Sequence, residues 1–365
     1  DSHHPLHFLQ SRPPDRMSRD TFSARLLKWY DCHGRKTLPW KRVRDPYRIW
    51  VSEIMLQQTQ VTTIIPYFER FAKRFPDVRT LARARPDSVL HLWSGLGYYA
   101  RARNLHQAAK RIVAEHGGTF PRKLESVVRL PGIGRSTAGA ILALAFDRRH
   151  AILDGNVKRV LARYHAIRAP LNRRDVADQL WQLAEQHTPR ARVADYTQAI
   201  MDLGATVCAR AHPDCAHCPV RAGCKACKLG TPRNFPVPAK RRAVPVKQVQ
   251  MLLIRDARDR VLLVKRPPAG LWGGLWGLPE CTQKNVRAWC HDHIGLDIRP
   301  LKAWPAFRHR FSHFHLDITP IPARATGYCE RAMENGDSVW YNVARPDVRG
   351  LAAPVRKLLQ QLENA

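Results

Sequence analysis

The sequence predicts a two-domain protein, an all-α region followed by an α+β module, and three observations predict it. From Phe22 to about Cys224 the apolar residues recur at helical spacing, as in Ala24, Leu27 and Trp29 or Val160, Leu161 and Tyr164, with Pro and Gly punctuating short connections. Between about Lys225 and Pro245 the chain turns to Thr231-Pro232-Arg233, Pro236-Val237-Pro238 and Lys240-Arg241-Arg242, a composition that neither forms a regular helix nor buries a core and reads as a linker. Beyond it, Gln248 to Ile254 and Val261 to Lys265 are β-type runs separated by a polar turn, His309 to Asp317 alternates in the same style, and Leu351 to Leu362 closes with a helical pattern. The expected boundaries are 1–16 for a disordered or vector-derived leader ahead of Met17, 17–229 for the helical domain, 230–246 for the linker and 247–365 for the second domain.

Composition narrows the partners. The chain has 365 residues, 44% hydrophobic, enough for two cores. Its 61 lysines and arginines stand against 30 acidic residues, a formal charge of +31 that runs along the whole length and points to a polyanion. Membrane-surface binding would also use such charge, but no apolar stretch approaches the ~18 residues of a membrane span and no basic amphipathic anchor is present, so nucleic acid is the better partner. Of nine cysteines, four crowd between Cys208 and Cys224, while Cys32, Cys227, Cys281, Cys290 and Cys329 show no pairing pattern. That distribution suits a reducing compartment and a metal site.

Leu130-Pro131-Gly132-Ile133-Gly134 lies between a helical pattern ending near Arg129 and another beginning at Arg135, Ser136 and Thr137, a helix-hairpin-helix sequence. Its two glycines allow a tight turn and close approach of a phosphate to the N–H groups of the next helix, a grip independent of base sequence. An ordinary αα turn is the alternative. About twenty residues on, Ile152-Leu153-Asp154-Gly155-Asn156-Val157-Lys158-Arg159 sets an aspartate at the start of a basic helix, where by propensity alone it is an N-cap. Together these residues resemble the helix-hairpin-helix family of DNA base-excision glycosylases, in which an aspartate after the hairpin is essential. Bifunctional lyases of that family place a lysine just inside the second hairpin helix; Ser136 stands at that point here, so an amine nucleophile is missing.

Leu38-Pro39-Trp40 and the run from Asp45 through Trp50, Ser52-Glu53-Ile54-Met55-Leu56-Gln57-Gln58-Thr59 to Val61 form a second signature. On a helix, Glu53 either faces solvent or is partly buried, and desolvation would then raise its pKa and keep a proton available. The chain from about Asp20 onward resembles the adenine DNA glycosylases of the MutY type, whose catalytic glutamate occupies this S-E-x-M-L-Q-Q-T pattern. The resemblance implies that Glu53 protonates the leaving adenine and later helps activate water, while Asp154, positioned with Asn156, supports an oxocarbenium-like sugar. It further implies base flipping, with Gln58, Thr59, Leu96 and Tyr98 beside the orphaned oxidised guanine, and Gly132, Gly134 and Ser136 on the DNA. Tyr98 and Tyr99 read equally well as helix-packing aromatics. Many relatives carry tyrosine at the position of Ser136, so a catalytic part for this residue does not carry over.

Cys208, Cys215, Cys218 and Cys224, spaced C-x6-C-x2-C-x5-C, suit zinc or an iron–sulfur cluster on spacing alone. The resemblance implies one four-iron, four-sulfur cluster with a structural and DNA-docking role, and leaves Cys227 outside the ligand set. Gly277-Leu278-Pro279-Glu280 resembles the start of a Nudix box, but Asn285 to Ile294 lacks the glutamate run that holds a divalent ion, so pyrophosphohydrolysis is not expected. The second domain is then a lesion reader. By resemblance the Phe311-Ser312-His313 loop recognises 8-oxoguanine, with Ser312 and His313 as the sharper candidates and Phe311 and Phe314 open to a packing role. The expected protein is a monofunctional, monomeric glycosylase of bacterial cytoplasmic (nucleoid-associated) type, without membrane association, acting on double-stranded DNA with adenine opposite 8-oxoguanine or guanine. A glycosylase/lyase on oxidised pyrimidines and a non-catalytic iron–sulfur DNA-binding protein are the alternatives.

Overall fold

The computed structural model describes residues 21–239, 243–328 and 337–364. The expected leader, Met17, Lys240-Arg241-Arg242 and Cys329 lie outside the described residues. In chain order the helices are α1 (Phe22–His33), α2 (Pro46–Leu56), α3 (Val61–Arg74), α4 (Val78–Arg83), α5 (Pro86–Trp93), α6 (Ala100–His116), α7 (Leu124–Val128), α8 (Arg135–Phe146), α9 (Gly155–His165), α10 (Arg174–His187), α11 (Val193–Thr206) and α12 (Lys225–Lys228). No strand occurs among the described residues before Val246. None of the described helices is long and apolar enough to cross a membrane.

Local chemistry sets the helix starts. Thr21, Asp45, Asp77 and Asp154 each accept a backbone N–H of the following first turn, and Pro46 and Pro86 open α2 and α5, where no intrahelical donor is lost. The helical reading of α1 holds, but its buried face differs from the expected one. Phe22, Leu26, Leu27 and Tyr30 are inside, while Ala24 and Trp29 are only partly buried. A helical turn at Pro232–Asn234 interrupts the expected linker, and another just precedes it. Lys225–Lys228 closes a turn around buried Ala226, and Phe235 is 6% exposed, so this stretch does contribute to a core.

The described chain forms two compact units that do not follow its linear order. One comprises the described residues up to Lys36 with Leu142–Ala239; the other comprises Thr37–Ile141 with the described residues after Ala239. In the first unit, Asp202 on α11 is fully buried. It accepts from the Arg35 backbone N–H at 2.9 Å, from Arg35 Nη2 at 2.7 Å and from Gln198 Nε2 at 2.8 Å, tying α11 to the segment after α1.

The second unit packs Trp50, Phe68, Phe71, Phe75 and Trp93 as its helical core. Its C-terminal module has strands β1 (Val246–Arg255), β2 (Val261–Lys265), β3 (Trp276–Gly277), β4 (Glu280–Cys281), β5 (Leu296–Pro300), β6 (Phe307–Arg310), β7 (His315–Tyr328) and β8 (Ser338–Tyr341), with α13 (Val286–Ile294) and α14 (Ala353–Glu363). The main path of the sheet is β3-β2-β1-β7-β5, with β1 and β2 antiparallel as expected but β1 and β7 parallel from Val246↔His315 to Arg255↔Arg324. His309 to Asp317 is therefore not one strand. It is the end of β6, a turn, and the start of β7.

This module is bonded to the helices of the same unit. Ser94 Oγ donates to Leu351 O at 2.7 Å, Trp276 Nε1 donates to Asp87 at 3.2 Å and Arg103 Nη1 donates to Gly273 O at 2.6 Å. Replacing Arg35 by Met is expected to cost about 3 kcal/mol, since a buried carboxylate loses its cation. A urea midpoint within error of the unsubstituted chain's would show the pair to be marginal.

Candidate active site and cysteine loop

Helix α2 is buried on nearly every side, with Trp50, Val51, Ser52, Ile54 and Met55 all inside, and Glu53 is the partly buried position in that run. The helix stops at Gln57, and Gln58 follows in the left-handed region at φ 58°. A second left-handed residue, Tyr98 at φ 49°, sits in the loop before α6 and is 47% exposed. Such backbone is costly for residues with a Cβ and persists where the surroundings hold it.

What holds both is a residue that sequence reasoning missed. Arg101 on α6 is 8% exposed and donates to five carbonyls: through Nη1 to Ile54 (3.2 Å), Met55 (2.8 Å) and Gln57, and through Nη2 to Leu96 (3.4 Å) and Gly97 (3.1 Å). It thereby fixes the carbonyl immediately before each strained residue, and satisfies the free carbonyls at the end of α2. Burial lowers its pKa to about 10, which still leaves it cationic at neutral pH. Nothing in the sequence distinguishes Arg101 from the other exposed-looking arginines around it.

The neighbouring candidates separate by exposure. Gln58 and Tyr98 face solvent, and Thr59 is partly buried. Tyr99 packs inside, its hydroxyl accepting the Gly95 N–H at 3.2 Å and donating to Leu351 O at 3.3 Å. Leu96, expected beside the orphaned guanine, is only 6% exposed and lies in the core.

Leu130 to Gly134 turns between α7 and α8 as expected, with Leu130 and Ile133 buried and Gly132 and Gly134 on the surface. Gly132 needs its lack of a side chain, at φ +78° with Asn104 Cβ 2.8 Å from where a Cβ would stand. A Cβ at Gly134 would meet nothing within 4 Å, so that face is open to an approaching backbone from outside. Ser136 is partly buried in the first turn of α8, and its neighbour Thr137 receives a 3.4 Å bond from Gln57 Nε2. The hairpin is thus joined to the end of α2.

Asp154 and Asn156 belong to the other unit. Asp154 caps α9, its Oδ1 accepting the Val157 N–H at 2.8 Å, so the capping role that propensity suggests is real. Burial raises its carboxyl above the usual carboxylate range, opposed by the N–H donors of Val157 and Asn156 and by the positive charges of Arg159 and Lys158. Asn156 Oδ1 accepts from Arg159 Nη2 at 2.9 Å, and the same guanidinium donates from Nε to Cys208 O at 2.9 Å. One turn further on, Arg163, 2% exposed, donates to Cys208 Sγ (3.3 Å) and to the carbonyls of Ala209 (2.7 Å), Arg210 (3.0 Å) and Phe235 (2.9 Å). Helix α9 therefore carries the carboxylate loop at its start and the cysteine loop along its side.

Cys208, Cys215, Cys218 and Cys224 line one recess, walled by Val160, Leu203, Val207 and Val220. Cys227 lines it too. Among the described residues, no three His, Cys, Asp or Glu side chains converge closely enough to hold a single ion. Thiols spread around a recess fit a polynuclear group better than one tetrahedral zinc, whose four sulfurs crowd about a point at ~2.3 Å. Burial pushes the Cys218 thiol up to about 12 and raises Cys215 and Cys224, so ionised sulfurs here call for a cationic partner.

In the C-terminal module, Phe311 to Phe314 is a tight turn, with the Phe311 N–H donating to Phe314 O at 2.9 Å. Phe311 stacks on buried Phe314 with centroids 4.6 Å apart and meets His309 and Trp272 at its edge, which leaves Ser312 and His313 as the exposed tip. Glu280 is paired with Arg266 at 2.5 Å, and α13 contributes Asp292 as its acidic residue.

Comparison with known proteins agrees with this architecture. Residues 51–207 match the HhH-GPD superfamily of base excision DNA repair proteins, and residues 250–361 match the NUDIX domain. The adenine DNA glycosylase of Buchnera aphidicola subsp. Baizongia pistaciae is 37% identical over 348 residues, covering 95% of this chain and 98% of that protein. The adenine DNA glycosylase of Mus musculus is 38% identical, covering 81% of this chain and 69% of that one. A solved thermostable thymine-DNA glycosylase superposes with a TM-score of 0.52 at 27% identity, over 57% of this chain and 95% of the other. With a relative at this identity over nearly the full length of both chains, the chain belongs to the adenine DNA glycosylase family and is a DNA glycosylase of base excision repair.

Proposed function

We propose that this enzyme removes adenine mispaired with 8-oxoguanine, and with guanine, from double-stranded DNA by monofunctional hydrolysis. The observation that carries the choice of lesion is the turn at Phe311–Phe314: a stacked aromatic base that presents a hydroxyl and an imidazole to solvent, in the same compact unit as Glu53, Gln58 and Tyr98. Ser312 and His313 offer hydrogen bonds to groups that distinguish oxidised guanine from guanine. A site built around such bonds discriminates by leaving its own polar groups unpaired with the wrong base.

In the reaction, the adenine leaves the stack, at a cost of a few kcal/mol that contacts to the vacated position offset. Gln58 and Tyr98, held ready by Arg101, are the side chains available for those contacts, with Thr59 beside them. Leu96 joins them only if it leaves its packed position. Gly132, Gly134 and Ser136 hold the phosphate backbone. Glu53, as the carboxylic acid, gives its proton to a ring nitrogen of adenine while the bond between the sugar and the base breaks, and the electron pair of that bond leaves with the base. Ionised Asp154, oriented by its cap bond and seconded by Asn156, stabilises the sugar cation. Water then adds to the sugar carbon and returns its proton to the Glu53 carboxylate, which leaves adenine and an abasic site. With Ser136 where a lyase has lysine, the hairpin supplies no amine for a Schiff base.

Cys208, Cys215, Cys218 and Cys224 would hold one four-iron, four-sulfur cluster. When bound, that group cross-links the loop that follows α11 and supplies the positive charge its buried thiolates need. The hydrolysis exchanges no electrons, so the loop's part is to hold α9, through Arg159 and Arg163, and with it the carboxylate loop.

Glu53→Gln is expected to lower adenine release at least about 100-fold while binding to the mispaired duplex changes less than about twofold, as read by single-turnover assays and titration. Undiminished release would remove Glu53 as the acid. Asp154→Asn keeps the cap acceptor but not the charge. A folded pKa above the unfolded one means that stability is lost as pH rises between the two values, so the acid costs stability once the pH has passed the unfolded value. The Asn variant is therefore expected to melt at an equal or higher temperature while activity falls at least about 100-fold; a lower Tm contradicts the sign of the shift. Ser312→Ala with His313→Ala is expected to reduce the preference for 8-oxoguanine over guanine opposite adenine about tenfold, with equal loss on both duplexes as the contrary result.

A further inference from the structure

Five thiols, not four, surround the recess. Cys227 lies three residues after Cys224, on α12, and lines the same cavity as Cys208, Cys215, Cys218 and Cys224. Its thiol thus faces the same space as theirs, with Cys215 and Cys224 among its neighbours. It is partly buried, as the other four are. Helix α12 is held from below, with Ala226 fully buried and the Thr231 N–H bonded to Ala226 O, so the position of Cys227 is set by the fold and not by a free tail.

We propose that Cys227 is an exchange ligand for the Cys215 position of the cluster. This inference rests on the cluster reading of the loop. Four thiolates saturate such a group, so a fifth thiol beside one of them replaces it instead of adding to it. As the iron–sulfur bond to Cys227 forms, the bond to Cys215 breaks. The Cys227 thiol proton passes to the released Cys215 thiolate, which lines the same recess. One bond replaces another, one proton moves, and no electron is transferred. The consequence is a loop that keeps its cluster when Cys215 is lost to oxidation or alkylation.

The test uses the full chain, reconstituted anaerobically with ferrous iron and sulfide, then assayed for bound iron and for thiols reactive to iodoacetamide by peptide mass. The unsubstituted chain and Cys227→Ser are expected to load equally. Cys215→Ser should load within about twofold of them, and the double variant at least about tenfold less. Cys227 should be alkylated in the loaded unsubstituted chain and protected in loaded Cys215→Ser. Iron as low in Cys215→Ser as in the double variant overturns the proposal, as does Cys227 remaining reactive in loaded Cys215→Ser or iron loss in Cys227→Ser. An independent measurement covers a Cys215→Ser chain that fails to fold: slow alkylation of Cys215 in the loaded unsubstituted chain, abolished by Cys227→Ser, is expected, and its persistence in that variant counts against exchange. An unsubstituted chain that binds no iron overturns the cluster reading itself, a result separate from all of these.

Discussion

The buried guanidinium of Arg101 is the constraint on which the rest of the second unit depends. A helix that ends inside a protein leaves carbonyls without partners, and a sharp loop leaves more. One cation with a planar fork of donors meets both needs, at Ile54, Met55 and Gln57 on one side and at Leu96 and Gly97 on the other. Because the bonds are charge-assisted and withdrawn from water, they are strong enough to keep Gln58 and Tyr98 in backbone conformations they would not adopt alone. Helix α2, the exposed Gln58 and Tyr98, and the hairpin reached through Gln57 and Thr137 thus share one mechanical support.

The first unit solves a related problem with two arginines on one helix. Arg159 and Arg163 donate to the chain from Gly204 to Arg210, so the loop bearing the cysteines is clamped to α9 independently of what its sulfurs bind. At its other end α9 is capped by Asp154, whose charge is costly where it sits. Two cationic side chains, Arg159 and Lys158, and the N–H donors of Val157 and Asn156 offset part of that cost.

Much of this was legible in the sequence because the signals are local. The glycines of the hairpin, the aspartate before a basic helix, the spacing of four cysteines and the aromatic alternation around Ser312 each involve residues that are neighbours in the chain. What escaped is non-local. The parallel pairing of β1 with β7 joins segments some seventy residues apart and leaves no periodic trace beyond two apolar runs. The seating of the C-terminal module on α5 and α6 depends on Asp87, Ser94 and Arg103 meeting Trp276, Leu351 and Gly273, single polar contacts that no pattern announces. The buried face of α1 was misjudged for a related reason: Ala24 and Trp29 are apolar, but the packing partners lie on the side of Leu26 and Tyr30. Leu96 was placed outside by analogy of motif, whereas its own surroundings keep it in the core.

Helices α9 and α11 touch at Gly204. At Gly204 a Cβ would stand 2.6 Å from the Cβ of Asn156 and 3.2 Å from its backbone, so the two helices approach there closely enough to leave no room for a side chain on α11. A joint without padding has no slack. Sliding, tilting or swelling of the cysteine-bearing end cannot be absorbed by a rotamer change and must pass directly into the turn that holds Asn156. The junction acts as a rigid pin, and any larger residue at position 204 would press on Asn156 in the first turn of α9.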